Sequence, residues 1–155
     1  MTKYQKYQLI EAAAALPEPT AEAATEYEQK SDAIVSELNA VMAARPDLDA
    51  LIGPGNTAMM EDNHRNHARF MISLLATYSA EVLVNTVLWV FRAYRAHGFK
   101  LTYWPAQLDT WVDLLKKHLS PSSFAAIYPV YDFLLIHQPD FVALSDAVQE
   151  PCDGA

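Results

Sequence analysis

The longest apolar stretch of the chain covers residues 79–98, and only two of the ten residues at positions 82–91 are polar. A helix with this sequence would be apolar nearly all the way round, a pattern typical of a helix buried at the centre of a domain. Ser79 is a suitable N-cap residue, and Gly98 is a suitable residue just past the C-terminus. The pattern therefore predicts a central helix over residues 79–97, wrapped by its neighbours on every side.

The remaining apolar positions also follow helical rather than strand periodicity. Capping and helix-breaking residues divide the chain before and after the central helix into further helices and one single turn. These segments are residues 4–15, 20–44, 47–52, 57–78, 105–119 and 120–137, with a short last helix from Pro139. The fold class is therefore all-α, an orthogonal or up-down bundle of about six to seven helices around residues 79–97, with a globin-like arrangement as the alternative.

The chain of 155 residues has the length of one domain. Its strongest helix-breaking sequence is Gly53-Pro54-Gly55-Asn56, which is the only credible internal boundary. We therefore expect a single helical domain over residues 1–155. Within it, residues 1–52 are a potential helical arm and residues 57–147 a compact bundle.

Local features of three helices lead to more specific expectations. The helix before residue 79 connects to the central helix almost without a linker, so the two are predicted to pack as an antiparallel hairpin. Pro129 removes a backbone hydrogen bond and is predicted to kink or split its helix. Thr20 and Thr57 are predicted N-caps. The buried stripe of the second helix is predicted to be Tyr27, Ile34, Leu38 and Val41.

The sequence carries a net charge of −8, which is unevenly distributed. Residues 1–62 contain four Lys or Arg against eleven Asp or Glu, whereas residues 63–100 contain five against one. A net negative chain matches a phosphate backbone poorly, so we expect no nucleic-acid partner. The asymmetry has two interpretations: two solvated faces, or docking of the acidic front against the basic middle, within the molecule or across a dimer.

Targeting and redox features of the sequence indicate a cytoplasmic protein. The only cysteine is Cys152, so an internal disulfide is excluded and a reducing compartment is expected. The basic N-terminus and its short apolar run imitate a secretory signal, but Glu11 interrupts the run. No window approaches about 18 uninterrupted apolar residues, so we predict no transmembrane segment and no membrane partner.

Residues 61–67 form the strongest local cluster of metal-binding side-chain types. Glu61 and His64 have the Glu-x-x-His spacing that puts both on one helix face, as in carboxylate-bridged di-iron bundles. Such a centre needs a second pair of this kind, which the other helices lack, so a metal site with Glu61, His64 and His67 is a weak candidate. A haem or single-metal site using either histidine is another hypothesis, since neutral imidazole is a common ligand. The structural alternative is that both imidazoles are half-buried and hydrogen-bonded to neighbouring helices.

The sequence lacks the usual motifs of nucleophilic catalysis. The serines at positions 120, 122 and 123 begin a predicted helix, where capping explains them, and there is no Gly-x-Ser-x-Gly elbow. Asp113 and His118 are five residues apart, a spacing that does not align them on one helix face. We therefore expect a protein that is not an enzyme.

A second candidate site combines aromatic and basic side chains around the end of the central helix. Aromatic rings with arginine stack on flat conjugated ligands, and guanidinium groups hold carboxylates. Core packing explains the same aromatic residues without a ligand, so both interpretations stay open. The candidate cofactor-binding residues are His64, His67, Trp89, Arg92, Tyr103 and Trp104, and the surface extends through Tyr94, Arg95, His97 and Phe99.

Residues 64–137 resemble the helical module that lies beside the cobalamin-binding domain in bacterial cobalamin-dependent sensory regulators. The resemblance consists of helix lengths and apolar positions. It runs through His67-Ala-Arg-Phe70, residues 81–89, Arg95-Ala-His-Gly98-Phe99, Leu108, Trp111, Leu115 and Ala126-Ile-Tyr-Pro129-Val-Tyr131. The family's Asp-x-His-x-x-Gly motif is missing, as is its tryptophan followed by Glu-His, so no cobalamin ligand is carried over. The resemblance implies a sensory or regulatory context.

These observations lead to one functional expectation and one alternative. We expect a cytoplasmic, non-catalytic sensor or adaptor that acts through ligand-modulated interaction with a protein partner or through homodimerisation. The alternative is a protein that binds a tetrapyrrole (haem or cobalamin) or another small molecule through His64 or His67. In that case Trp89, Arg92 and Tyr103 would line the pocket.

Overall fold

The computed structural model describes residues 2–146, and in that range every regular element is a helix. This confirms the predicted all-α class and the helical bundle. The helices are α1 (Thr2–Ala14), α2 (Ala21–Ala43), α3 (Leu48–Ile52), α4 (Thr57–Ala76), α5 (Ala80–Ala96), α6 (Tyr103–His118), α7 (Pro121–Ile136) and α8 (Gln138–Asp146). Over residues 2–146, no helix combines the length and the apolar character needed to cross a bilayer.

Helix α2 lies at the centre of the bundle, where it packs against α4, α6 and α7. Its predicted stripe is correct for the first three residues and wrong for the last, because Val41 is 44% exposed and Met42 is fully buried instead. The sulfur of Met42 lies 3.9 Å from the Thr110 hydroxyl, which shows that α6 covers this side of α2. Residues 1–52, considered above as an arm, therefore contribute directly to the core.

Helix α5 is less enclosed than its sequence predicted. Its buried side consists of Leu83, Val84, Leu88 and Phe91. On the opposite side Val82 is 49% exposed and Trp89 is 66% exposed, so the expectation of a helix wrapped on every side is wrong. The close neighbours of α5 are α1 and α8, whereas its sequence neighbour α4 does not pack tightly against it in the described range. The predicted antiparallel hairpin of α4 and α5 is therefore replaced by two helices with a space between them.

The helix ends follow local capping chemistry. The side chains of Thr20 and Ser79 accept hydrogen bonds from backbone N–H groups three residues later, as expected for N-caps. Gly98 has a φ of 99°, a left-handed conformation that favours glycine after a helix. Thr57 is not a cap, because the helix already begins there and Asn56 precedes it. The Asn56 amide instead donates to the carbonyls of Ile52 and His97, at 2.7 and 2.9 Å, and so ties the end of α3 to the end of α5.

Helix α7 runs through Pro129 without a break. Of the two predicted effects of Pro129, a kink or a split, the split is therefore wrong. Proline removes one backbone donor, but the adjacent residues Ile127, Val130 and Tyr131 are fully buried, and this packing holds the helix on both sides of it.

The ion pairs of the N-terminal part are partly local, between Arg45 and Asp47 and between Asp62 and Arg65, and partly directed to α6. Glu37 on α2 lies 2.8 Å from both Lys117 and His118 at the end of α6. In residues 63–100, Arg92 donates to the carbonyl of Leu144 on α8, and Arg95 donates to the neighbouring Ser145 hydroxyl. The cations of α5 therefore stabilise the docking of α8, and within residues 2–146 they form no ion pair with the acidic front.

Candidate ligand-binding site

A cavity of about 220 Å³ lies between α4, α5, α6 and α7. Its aromatic residues are Phe70, Trp89, Phe91, Tyr94 and Trp104. Its aliphatic residues are Met71, Val87, Val90, Leu108 and Leu134. Its polar residues are Asn63, Asn66, His67, Thr86, Gln107 and Gln138. The wall is therefore mainly apolar, and it includes no Lys, Arg, Asp or Glu.

The mouth of the cavity lies between α4 and α5, where the exposed lining residues are Asn66 and Trp89. Both residues also line a shallow groove that continues between the same two helices towards Met59 and His97. This groove and the cavity occupy the space that a tightly packed α4–α5 hairpin would have filled. The departure from the predicted hairpin is therefore what creates the cavity.

His64 is fully buried behind the cavity and takes part in a polar network between α2, α4 and α6. Its Nδ1 lies 2.6 Å from the Asn39 side-chain oxygen, so Nδ1 carries the proton and donates it. Its Nε2 lies 3.2 Å from the Tyr103 hydroxyl. The one hydrogen of the Tyr103 hydroxyl goes to the nearer Asn63 oxygen, at 2.8 Å, so the ring is held by its bond to Asn39 and Nε2 is enclosed beside the hydroxyl. This enclosure supports the structural alternative for this histidine.

The second predicted histidine, His67, lies at the cavity wall. Its ring stacks on the indole of Trp111 at a centroid distance of 4.5 Å. Its Nε2 lies 2.8 Å from the Tyr131 hydroxyl, which is in turn 2.7 Å from the Tyr27 hydroxyl. A chain of three polar side chains therefore leads from the centre of the core to the surface of the cavity.

Burial keeps the hydrogen-bonded side chains of His67, Tyr131 and Tyr27 uncharged near neutral pH, and it does the same for the polar network around His64. It lowers the pKa of His64 and of His67 to about 3, and the charge that His64 would carry adds to the effect at His67. Burial likewise raises the pKa values of Tyr27, Tyr103 and Tyr131, so their hydroxyls stay protonated. At pH 7 both imidazoles are neutral and all three phenols are hydrogen-bond donors.

The other predicted site residues are divided between the cavity and the core. Trp89 lies at the mouth and Trp104 forms part of the wall, where it stacks on Phe91 at 4.9 Å. Tyr103 is fully buried and reaches the cavity only through Asn63, to which it donates a hydrogen bond of 2.8 Å. Arg92 points away from the cavity towards α8. The structure therefore brings His67, Trp89 and Trp104 to one cavity and leaves His64, Tyr103 and Arg92 outside it.

Two polar residues of the wall, Asn63 and Gln107, were missed in the sequence. The Asn63 side-chain oxygen accepts hydrogen bonds from the Tyr103 hydroxyl and from the Gln107 amide, the latter at 3.0 Å. Their positions in the sequence, relative to other inward-facing residues, could have identified them. Asn63 precedes His67 by four residues and so shares its helix face, and Gln107 lies between the inward-facing residues Trp104 and Trp111.

The geometry does not fit a metal centre or an axially ligated tetrapyrrole. Within residues 2–146, no three His, Asp, Glu or Cys side chains come together, so Glu61, His64 and His67 do not acquire further ligands. His64 is fully buried, with Nδ1 bonded to Asn39 and Nε2 enclosed beside the Tyr103 hydroxyl, and the Nε2 of His67 is held by Tyr131. The cavity is also smaller than the roughly 300–1,000 Å³ typical of sites for drug-sized ligands.

Comparison with known proteins does not identify a family. The sequence matches no model of a protein family, and neither the curated proteins nor the solved structures provide a match. The resemblance to the helical module of cobalamin-dependent regulators therefore stays an untested prediction, and function must be argued from the cavity itself.

Proposed function

We propose that this protein is a non-catalytic helical sensor domain that binds a small, flat, mainly apolar molecule in the cavity between α4 and α5. The observation that carries the proposal is the cavity itself, whose wall combines aromatic and aliphatic side chains with a few polar groups. Natural binding sites for small molecules have this composition. The resemblance to regulatory proteins supports the sensory part of the proposal, and the cysteine usage supports a cytoplasmic location.

The size of the cavity limits the size of the ligand. An apolar cavity of about 150 Å³ is large enough to hold benzene. The cavity here, at about 220 Å³, is larger by about one half. By this scaling it matches a bicyclic ring system of roughly nine or ten non-hydrogen atoms. Of the ligands considered from the sequence, a small aromatic molecule is therefore favoured over haem or cobalamin.

Blocking the cavity is expected to abolish binding while leaving the fold intact. Val87 lines the cavity and Val82 lies on the exposed side of the same helix, so the two provide a matched pair. Indole, titrated into the protein and followed by two-dimensional NMR, should bind the wild type and the Val82→Trp variant with similar affinity. It should bind the Val87→Trp variant at least tenfold more weakly, because the new side chain fills the space. Equal binding to both variants would place the ligand elsewhere, and no binding to the wild type would contradict the proposed function.

Self-association is a second candidate function, and it is favoured by the exposed side of α5. Val82 and Trp89 are seven residues apart, so they lie on one face of the helix, and both are largely exposed. A second copy of the chain would cover both residues in a symmetric, self-complementary contact. Because Trp89 also lines the mouth of the cavity, a bound ligand would alter this contact surface.

Light scattering at increasing protein concentration tests this second proposal. We expect the mass to approach twice that of the monomer, and the Trp89→Lys variant to remain monomeric because a charge would be buried in the contact. A wild-type protein that stays monomeric at millimolar concentration, with and without indole, would contradict self-association through α5.

A further inference from the structure

The hydrogen-bond chain behind His67 determines which of its ring nitrogens carries the proton. Tyr27 and Tyr131 are fully buried, and within residues 2–146 the hydroxyl of Tyr27 has Tyr131 as its partner. Both hydroxyl hydrogens find an acceptor only if Tyr27 donates to Tyr131 and Tyr131 donates to the Nε2 of His67. Nε2 is then unprotonated, so the proton of the neutral ring lies on Nδ1.

The Nδ1–H of His67 is available to a ligand. It makes no hydrogen bond within the part of the chain that the structure describes. The buried side-chain atoms without a partner in that range are Arg92 Nε, Trp104 Nε1 and Trp111 Nε1, and Nδ1 is not one of them. The atom therefore keeps accessible surface, and because His67 lines the cavity, that surface faces the cavity.

Asn63 presents a second donor beside the first. Its side-chain oxygen already accepts from Tyr103 and Gln107 on α6, which fixes the orientation of the amide. The Nδ2 group has no hydrogen-bond partner in residues 2–146. It is not among the fully enclosed atoms without a partner, so it too keeps accessible surface. Since Asn63 and His67 are four residues apart on one face of α4, their two N–H groups reach the same region of the cavity.

We propose that the ligand is a neutral, planar molecule of bicyclic size with a carbonyl oxygen, which accepts hydrogen bonds from His67 Nδ1 and Asn63 Nδ2. This inference rests on the proposed binding function and specifies its ligand. A carbonyl oxygen has two lone pairs and so matches two adjacent donors. A neutral molecule is required because the wall has no charged side chain to compensate for burying an ion.

A matched pair of probes tests the proposal on the full-length protein. Indane and 1-indanone have nearly the same shape, and only 1-indanone has a carbonyl group. If the two donors meet the carbonyl, 1-indanone should bind the wild type at least as tightly as indane, because the hydrogen bonds compensate for its loss of hydration. In the His67→Phe variant, which keeps a ring of similar size, the affinity for 1-indanone should fall about tenfold relative to indane.

The possible results separate the inference of a carbonyl ligand from the proposed binding function. Binding of indane more than tenfold tighter than 1-indanone to the wild type would show that the carbonyl is unpaired, which overturns the inference and leaves the binding function standing. Binding of neither probe would overturn the binding function as well. A third probe, indane-1-carboxylate, should bind at least tenfold more weakly than 1-indanone at pH 7, and tighter binding would overturn the requirement for a neutral ligand. The wild-type comparisons remain decisive even if the His67→Phe variant does not fold.

Discussion

Replacing Trp111 with alanine is expected to reduce the free energy of unfolding by about 3–5 kcal/mol, which is the cost of truncating a large buried aromatic residue. Trp111 is fully buried where α2, α4, α6 and α7 meet. Its indole stacks on His67 and lies within 6.3 Å of the rings of Tyr27 and Tyr131, measured between centroids. Alanine at this position would leave a cavity that the helices around it cannot close without moving apart from their other contacts. Urea denaturation followed by far-ultraviolet circular dichroism measures the loss.

Trp89 provides the matched control for this prediction. It is the same residue type on a helix, but it is 66% exposed at the mouth of the cavity. The Trp89→Ala variant should therefore change the free energy of unfolding by about 0.5 kcal/mol or less. A domain of this kind is stable by about 5–15 kcal/mol, so the Trp111→Ala substitution removes between a fifth and all of that stability. Equal effects of the two substitutions would contradict the packing described here.

The helix boundaries could be predicted because the signals that set them are local. Thr20, Ser79 and Ser120 cap their helices through hydrogen bonds to N–H groups three residues away, so the sequence contains both partners. The failure at Thr57 has a non-local cause. The side chain of Asn56 is used to bridge two other helix ends, including the carbonyl of His97, which is 41 residues away.

The burial of α5 could not be predicted in the same way. An apolar helix tells which residues are able to lie in a core, but not which sides other helices will cover. Val82 and Leu83 are both apolar and adjacent, yet one is half exposed and the other fully buried. The position of α1 and α8 decides this difference, and that position depends on contacts far apart in the sequence.

The candidate site was accordingly predicted only in part. The sequence placed His67 and Trp104 near a ligand for sound chemical reasons, since both residue types are suited to flat ligands. It could not separate them from His64 and Tyr103, which have the same periodicity but face the network behind the cavity. The cavity arises from the spacing of α4 and α5, a property of the assembled bundle and not of either helix.

Lowering the pH from 6.5 to 5 is expected to destabilise the protein by roughly 3 kcal/mol, because two histidines must remain neutral in the folded state. Burial lowers the pKa of His64 and His67 to about 3, whereas a histidine of the unfolded chain titrates near pH 6.5. Between these values the unfolded chain binds protons that the folded chain does not bind. This contribution to stability is therefore fully present well above pH 6.5, and as the pH is lowered its loss approaches about 1.4 kcal/mol per pH unit for each histidine.

Urea titrations at pH 5.0, 5.5, 6.0, 6.5 and 7.0 measure this slope within a window that separates histidines from carboxylates. Glu26, Glu37 and Asp47 have pKa values below their ordinary ones because of hydrogen bonds to serine, lysine and arginine partners, so their loss of charge occurs at lower pH. The His67→Phe variant should lose about half of the slope, since only His64 then resists protonation. The His97→Gln variant, changed at an exposed position, should keep the full slope. A wild-type free energy of unfolding that stays constant from pH 7 to pH 5 would contradict the lowered pKa values of the two imidazoles, and with them the neutral His67 ring on which the carbonyl ligand depends.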